Sequence, residues 1–172
     1  MRWGDEVKGL FKNSNLYLVI AFIIMGILFY SSSQTYEEQS QLGLLQRLLV
    51  DEPFKERLSG ISFVYASEEV SIQARGYFSF IEFFIRKGAH FGTYFLLSTS
   101  WVIGLKPRIN QLGLTVIVSW LAATGYAALD ELHQMFTGGR SPLFQDIALD
   151  SIGALTAAVL CLVIIGWKSR KK

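Results

Sequence analysis

Arg86, His90 and Tyr94 follow one another at four-residue spacing, so on a helix they share one face. Asp130 and Gln134 repeat that spacing further along, with Glu131 beside them, and Asp146 and Asp150 repeat it again. A histidine near carboxylates can shuttle a proton, which makes His90, Asp130 and Glu131 the candidates for acid–base chemistry. Arg86, Lys87 and Arg140 bring complementary chemistry. A guanidinium grips a carboxylate or phosphate through two parallel hydrogen bonds, whereas an ammonium serves mainly as a point charge. The candidate ligand-binding set is therefore Arg86, Lys87, His90, Tyr94, Asp130, Glu131, Gln134, Arg140, Asp146 and Asp150. No serine, cysteine or P-loop nucleophile motif fixes a reaction. Asp130 and His133, three apart, lack the compactness of a metal-binding motif, so neither metal nor cofactor is assigned.

The elements that must position these residues are apolar. The chain has 172 residues, 51% of them hydrophobic, and a mean hydropathy of +0.35. That is too apolar for an ordinary soluble domain. A net charge of +2 gives no global excess that would suit nucleic acid. The single cysteine, Cys161, excludes an intrachain disulfide and reads as a small core hydrophobe. Four apolar runs, at 16–32, 88–105, 112–130 and 147–167, each approach the roughly 20 residues that cross a bilayer. They predict a single all-α integral membrane domain over 1–172 with four transmembrane helices. Lys8 and Lys12 precede the first run and Ser31, Ser32 and Ser33 close it, an arrangement read as an uncleaved anchor rather than a signal peptide. Trp3, Trp101, Trp120 and Trp167 are read as interface or packing residues.

Orientation follows from Lys and Arg. Arg2, Lys8, Lys12, Lys106, Arg108, Lys168, Arg170, Lys171 and Lys172 lie at the two termini and in the short loop after the second run, against only Asp5 and Glu6. Both termini are thus expected in the cytoplasm of a multi-pass protein. Arg86 and Lys87 then stand at the outer end of the second span, against the positive-inside trend, which implies a local use for them. The insertion between the first two spans, residues 34–80, faces outward in this scheme. Leu42, Leu45, Leu48 and Leu49 predict a short amphipathic helix, either lying on the outer membrane surface or packed as a lid on the span ends. Ile61, Phe63 and Tyr65, then Val70 and Ile72, alternate about a polar turn at Ser67 and Glu68 and predict a β-hairpin. After Gly76 a continuous helix is expected from Tyr77 through Leu105, with Glu82 and Arg86 as an exposed pair.

Charged groups at the bilayer centre cost roughly 2.5–3.5 kcal/mol each, yet here they cluster. At about 1.5 Å rise per residue, His90 lies about 22 Å above Leu105, Asp150 about 25 Å above Trp167 and Asp130 about 27 Å from Leu112. The three are expected in one ring just below the outer boundary. Ala123 and Ala127 are expected to seat against Gly153 and Ala157, because small residues let two helices approach closely. The turn Thr137-Gly138-Gly139-Arg140-Ser141-Pro142 would hold Arg140 above the ring, free for a ligand or paired with Asp146.

At these residues the chain resembles the VanZ-like family of small bacterial membrane proteins. The resemblance is carried by Tyr30-Ser31-Ser32-Ser33-Gln34, by Arg86-Lys87-Gly88-Ala89-His90-Phe91 with Tyr94, and by Asp130-Glu131-Leu132-His133-Gln134-Met135-Phe136. It continues through Gly139-Arg140 and Asp146 to Gly153, and departs at Asp150, where the family pattern more often has asparagine. It implies a multi-spanning protein of the bacterial cytoplasmic membrane whose family namesake is linked to resistance to the glycopeptide teicoplanin. With the residues above, the leading expectation is a cell-envelope membrane protein whose outward-facing polar pocket binds an amphipathic anionic ligand, a membrane lipid or lipid-linked envelope precursor. One competing reading is an acid–base enzyme hydrolysing or transferring a group on such a precursor, with His90 moving the proton and Arg140 holding phosphate. Another is a structural partner in an envelope complex, docking through the Leu42 to Leu49 face.

Overall fold

The computed structural model describes residues 13–137 and 142–170. Helix α1 (Ser14–Ser32) leads into an insertion of short elements: α2 (Tyr36–Gln39), α3 (Leu42–Leu48), α4 (Lys55–Leu58), strands β1 (Ser62–Tyr65) and β2 (Glu68–Ser71), and α5 (Ile72–Arg75). Three long helices follow, α6 (Tyr77–Leu105), α7 (Leu112–Thr137) and α8 (Phe144–Arg170). The expected continuous helix from Tyr77 to Leu105 is present, and α7 and α8 run a few residues beyond the apolar runs that announced them.

The bundle of α1, α6, α7 and α8 is built inside out. Its large apolar side chains face outward: Phe22 is 62% exposed, Leu129 61% and Val163 59%. Its interior is lined by Ala21, Ala123, Ala127, Ala154, Ala157 and Ala158, all buried. Such a surface is at home only in hydrocarbon, where small interior residues let helix backbones pack by van der Waals contact. Three of the helices, α1, α7 and α8, are long and apolar enough to cross a membrane. Helix α6 is not among them, because Glu82, Arg86, Lys87 and His90, then Thr93, Ser98, Thr99 and Ser100, dilute its apolar character. Its position explains that composition. It packs against α1, α7 and α8 together, with Tyr94, Leu97, Ser98 and Val102 fully buried, so much of its surface faces protein.

The helix seating differs from the expected one. Gly153 of α8 meets α6, not α7: a Cβ added there would stand 2.5 Å from the Phe91 carbonyl oxygen. Ala123 and Ala127 of α7 instead share a cluster with Ala154 of α8, Tyr94 and Leu97 of α6, and Ala21 and Leu28 of α1. One residue's rotation of α8 lets Gly153 serve one neighbour and Ala154 the other. Hydrogen bonds lock the seating. Trp120 Nε1 donates to Ser151 Oγ at 3.1 Å, Thr124 and Ser151 share a hydroxyl contact at 2.9 Å, and Tyr126 donates to the Met25 carbonyl at 2.5 Å. Trp101 packs edge-on to Phe22, while Trp167 is largely exposed. Cys161 is half-buried beside the cluster of Val102, Val116, Ala158 and Ile165. Trp3 lies outside the described residues.

The insertion closes one end of the bundle. Strands β1 and β2 pair antiparallel in the register Tyr65↔Glu68 to Ser62↔Ser71. The two-residue turn is therefore Ala66-Ser67, one position before the expected one, and both residues have positive φ (52° and 68°) as a tight hairpin of this hand requires. Val70 and Phe63 face inward onto Ile72, Tyr77 and Phe80 at the start of α6. The leucine repeat divides: Leu45 is buried, Leu42 is half-buried and Leu49 packs inward, while Leu48 is 68% exposed. It is part lid and part free surface. Glu82 is also buried, at 1% exposure, rather than on the surface as its spacing to Arg86 had suggested. It accepts hydrogen bonds from Ser40 Oγ at 3.1 Å and from the Gln41 backbone N–H at 2.5 Å. A carboxylate inside the apolar run that opens α6 is thus the fastening between insertion and bundle.

Candidate functional site

A cavity of about 450 Å³ lies where the hairpin meets the insertion ends of α6, α7 and α8. Of the residues singled out by sequence, Arg86, Lys87, Glu131, Gln134 and Asp146 line it. His90, Tyr94, Asp130 and Asp150 do not. His90 and Asp150 lie four residues, and Tyr94 eight, further into the bundle than Arg86 and Asp146, each four-residue step advancing about 6 Å, while Asp130 lies one such step from Gln134 and beside Glu131 in the chain. The single ring expected from sequence is therefore two tiers, an upper one lining the cavity and a lower one in which Tyr94, Asp130 and Asp150 are buried and His90 is about a third exposed. Arg140 lies outside the described residues, as do Gly138, Gly139 and Ser141 of its turn.

The centre of the upper tier is Lys87. Its ammonium stands 2.5 Å from Asp146 Oδ1, 4.9 Å from the centre of the Tyr65 ring and 5.6 Å from that of Phe83. Tyr65 donates its hydroxyl to the same Asp146 oxygen at 2.5 Å. Burial, then this hydrogen bond to a carboxylate, pushes the Tyr65 phenol well above its ordinary range, so it stays protonated and remains a donor. Asp146 is thus engaged by Lys87 and Tyr65, neither of which sequence spacing had paired with it. Nearby, Arg86 Nη2 donates to Gln39 Oε1 at 3.2 Å, and Arg75 pairs with Glu68 at 2.7 Å while lying 5.5 Å from the Phe83 ring. Glu131 Oε2 accepts from the Leu143 backbone N–H at 3.4 Å, one residue ahead of α8. A carboxylate there complements the positive end of the helix dipole. The lining mixes cations, acids and aromatic rings. It can hold an anionic group and an apolar segment side by side.

In the lower tier His90 Nδ1 stands 3.4 Å from Asp150 Oδ2, with Asp150 almost fully buried. Gln134 Nε2 donates to Asp130 Oδ2 at 3.4 Å, and Asp130 is 5% exposed. Tyr94 is fully buried. His133 turns away to α1, where Nδ1 meets Ser32 Oγ at 2.8 Å and the ring stacks on Phe29 at 4.3 Å. The two histidines therefore serve different places. Among the described residues no three His, Cys, Asp or Glu side chains converge as a metal-ligand set.

Sequence reasoning missed Tyr65, Arg75 and Glu82 as residues of the cavity. Tyr65 reaches Asp146 across 81 positions of chain, and nothing local announces such a contact. Glu82 did carry a signal, as an isolated acid between Phe78-Ser79-Phe80-Ile81 and Phe83-Phe84.

The VanZ/LLP1 family model matches residues 17–165, from the first helix to near the end of the last. The chain belongs to the VanZ/LLP1 family. The match includes both tiers and the whole insertion, so the cavity is part of the VanZ/LLP1 region and not an appendage to it. No curated protein and no solved structure matches this VanZ/LLP1 chain. Membership and the apolar helices together make it a membrane protein, and the family's link to teicoplanin resistance fits a place in the cell envelope.

Proposed function

We propose that this VanZ/LLP1 protein binds an amphipathic, anionic ligand of the bacterial cell envelope, a lipid or lipid-linked precursor, in the cavity beneath the hairpin. In this reading four helices span the cytoplasmic membrane, α6 being the fourth and protein-shielded one, with both termini in the cytoplasm and the cavity open to the outside. The distribution of Lys and Arg supports that orientation. The observation that carries the proposal is Lys87, poised at the cavity wall over Tyr65 and Phe83 with its charge held by a single carboxylate. An incoming phosphate or carboxylate competes with Asp146 for that ammonium, and the aromatic rings give the apolar part of the ligand a surface. Arg86 lines the same cavity. Arg140 falls in the chain between Gln134 and Leu143, which also line it, and is proposed to complete the headgroup clamp.

The test is to purify the protein with native lipids, identify what co-elutes by mass spectrometry, and repeat with Lys87→Gln and Arg140→Ala. An anionic amphiphile should be enriched with the wild type and depleted at least about tenfold in each variant, the effect of losing one charge-assisted hydrogen bond. Equal recovery of every lipid from all three proteins would contradict the proposal.

The contact between His90 and Asp150 favours a second reading, an enzyme acting on such a ligand, because a histidine oriented by a carboxylate is the arrangement of a general base. Here His90→Gln separates the two: ligand retained with turnover abolished supports catalysis, and undiminished turnover rules out His90 as the proton carrier.

A further inference from the structure

Helix α3 has more apolar surface than the protein covers. At about 100° of rotation per residue, Leu45 and Leu49 share one flank, Leu44 and Leu48 share the next, and Gln46 and Arg47 occupy the remaining side. The first flank is spent on the protein: α3 packs against α6, with Leu45 buried and Leu49 joined to the cluster at the start of α6. The second is bare, with Leu44 56% and Leu48 68% exposed. Gln46 and Arg47 are exposed as well, which is ordinary for polar groups. Two adjacent apolar flanks on one short helix call for two apolar neighbours, and α6 is only one of them.

The height of α3 on the bundle identifies the other. The segment leading into it is tied down twice. Gln39 Nε2 donates to the Ser31 carbonyl and, at 3.1 Å, to Ser31 Oγ, in the last turn of α1. Ser40 Oγ and the Gln41 backbone N–H donate to Glu82 of α6. Ser31 lies about 26 Å along α1 from Ser14, and Glu82 about 35 Å along α6 from Leu105. These two heights bracket the edge of a hydrocarbon core about 30 Å thick. The start of α3 is therefore held at the boundary between acyl chains and headgroups. A protein occupant fits the flank poorly, since a stable interface buries about 800 Å² on each partner and one side of a seven-residue helix offers far less. For a bundle already embedded in lipid, the leaflet itself is the apolar phase at this level. Phe29 and Tyr30, exposed on the final turn of α1, continue the lipid-facing surface of the bundle up to the same height.

We propose that the Leu44 and Leu48 flank of α3 is a membrane-contact surface, seated among the headgroups and upper acyl chains of the leaflet on the insertion side. Amphipathic helices bind bilayers in this way, with the apolar face sunk about 5–10 Å into that boundary. The contact is independent of what the cavity binds. It has a consequence for the cavity all the same, because Gln39 also accepts a hydrogen bond from Arg86 of the cavity wall. The seat of α3 in the leaflet thus fixes the height at which that wall meets the lipid headgroups.

The experiment uses the full chain in a Cys161→Ser background, with Leu44→Cys, Leu48→Cys or Gln46→Cys labelled in detergent by the fluorophore nitrobenzoxadiazole. Each protein is reconstituted at high dilution into vesicles of phosphatidylcholine and phosphatidylglycerol. Quenching is compared between spin labels carried on the lipid, at the headgroup or the top of the acyl chain, and iodide present on both sides of the membrane. At positions 44 and 48 the emission should shift to the blue on reconstitution, be quenched by the lipid-borne labels and resist iodide. At position 46 iodide should be the stronger quencher. Iodide quenching at 44 and 48 equal to that at 46 would show a flank in water and overturn the proposal. Resistance to both quenchers would show a flank covered by protein, a partner or a second copy, and would overturn it equally. Should one leucine variant fail to fold, the other reads the same flank.

Discussion

Gly153 shows how much of this fold rests on single atoms. The Phe91 carbonyl occupies the space a β-carbon would need, so α6 and α8 approach at van der Waals distance and bring His90 and Asp150 to within 3.4 Å. Gly153→Ala should push the two helices apart and destabilise the protein by about 1–3 kcal/mol. A melting curve in detergent checks this, and a Tm equal to that of the wild type would contradict the close approach. The same residue marks a limit of sequence reasoning. Spacing identified Gly153 as a small contact residue, but the helix it contacts depends on the rotation of α8, and one residue of rotation exchanges Gly153 for Ala154. Asp146 repeats the lesson. Its place on the polar face was legible, while its partners Lys87 and Tyr65 lie on other elements and could not be ranked by distance along the chain.

Among the elements, the hairpin is one whose stability is linked to pH. Ser71 and Ser62 donate to Glu69 Oε1 at 2.8 and 3.0 Å, and these bonds hold its carboxyl below the ordinary 4.5. Ser71 in turn accepts from the Ala74 backbone N–H and so caps α5. Because the folded-state pKa is depressed, the stabilisation is fully present above the ordinary glutamate value and is lost as pH falls through the folded one. Amide exchange protection across residues 62–75, corrected for intrinsic rates, should therefore decline on acidification below about pH 4.5. Glu69→Gln should remove that decline, and an identical pH profile in the variant would contradict the assignment. The hairpin itself was visible in the alternation of Phe63, Tyr65 and Val70. Its turn was placed one residue late because Ala66 is a poor turn former by residue type, and its positive φ is imposed by the pairing of the flanking strands rather than by its own preference.

At the scale of the whole molecule, hydropathy located the four long helices and the small-residue stripes identified the inner faces of α7 and α8, since both are local properties of the chain. What hydropathy could not supply was the difference between α6 and its neighbours. A helix enclosed by three others can carry Tyr94 and Ser98 on one stripe because protein, not hydrocarbon, receives them. Depth along each helix was legible from rise per residue, but not finely enough to separate two tiers about one turn apart. The functional account stands on the upper tier being reached from outside the cell. Ser79 lines the cavity without belonging to its charged set, so Ser79→Cys in a Cys161→Ser background reports its accessibility. A membrane-impermeant maleimide should label this variant in intact cells. Labelling only after the membrane is permeabilised would put the cavity on the cytoplasmic side and contradict the account.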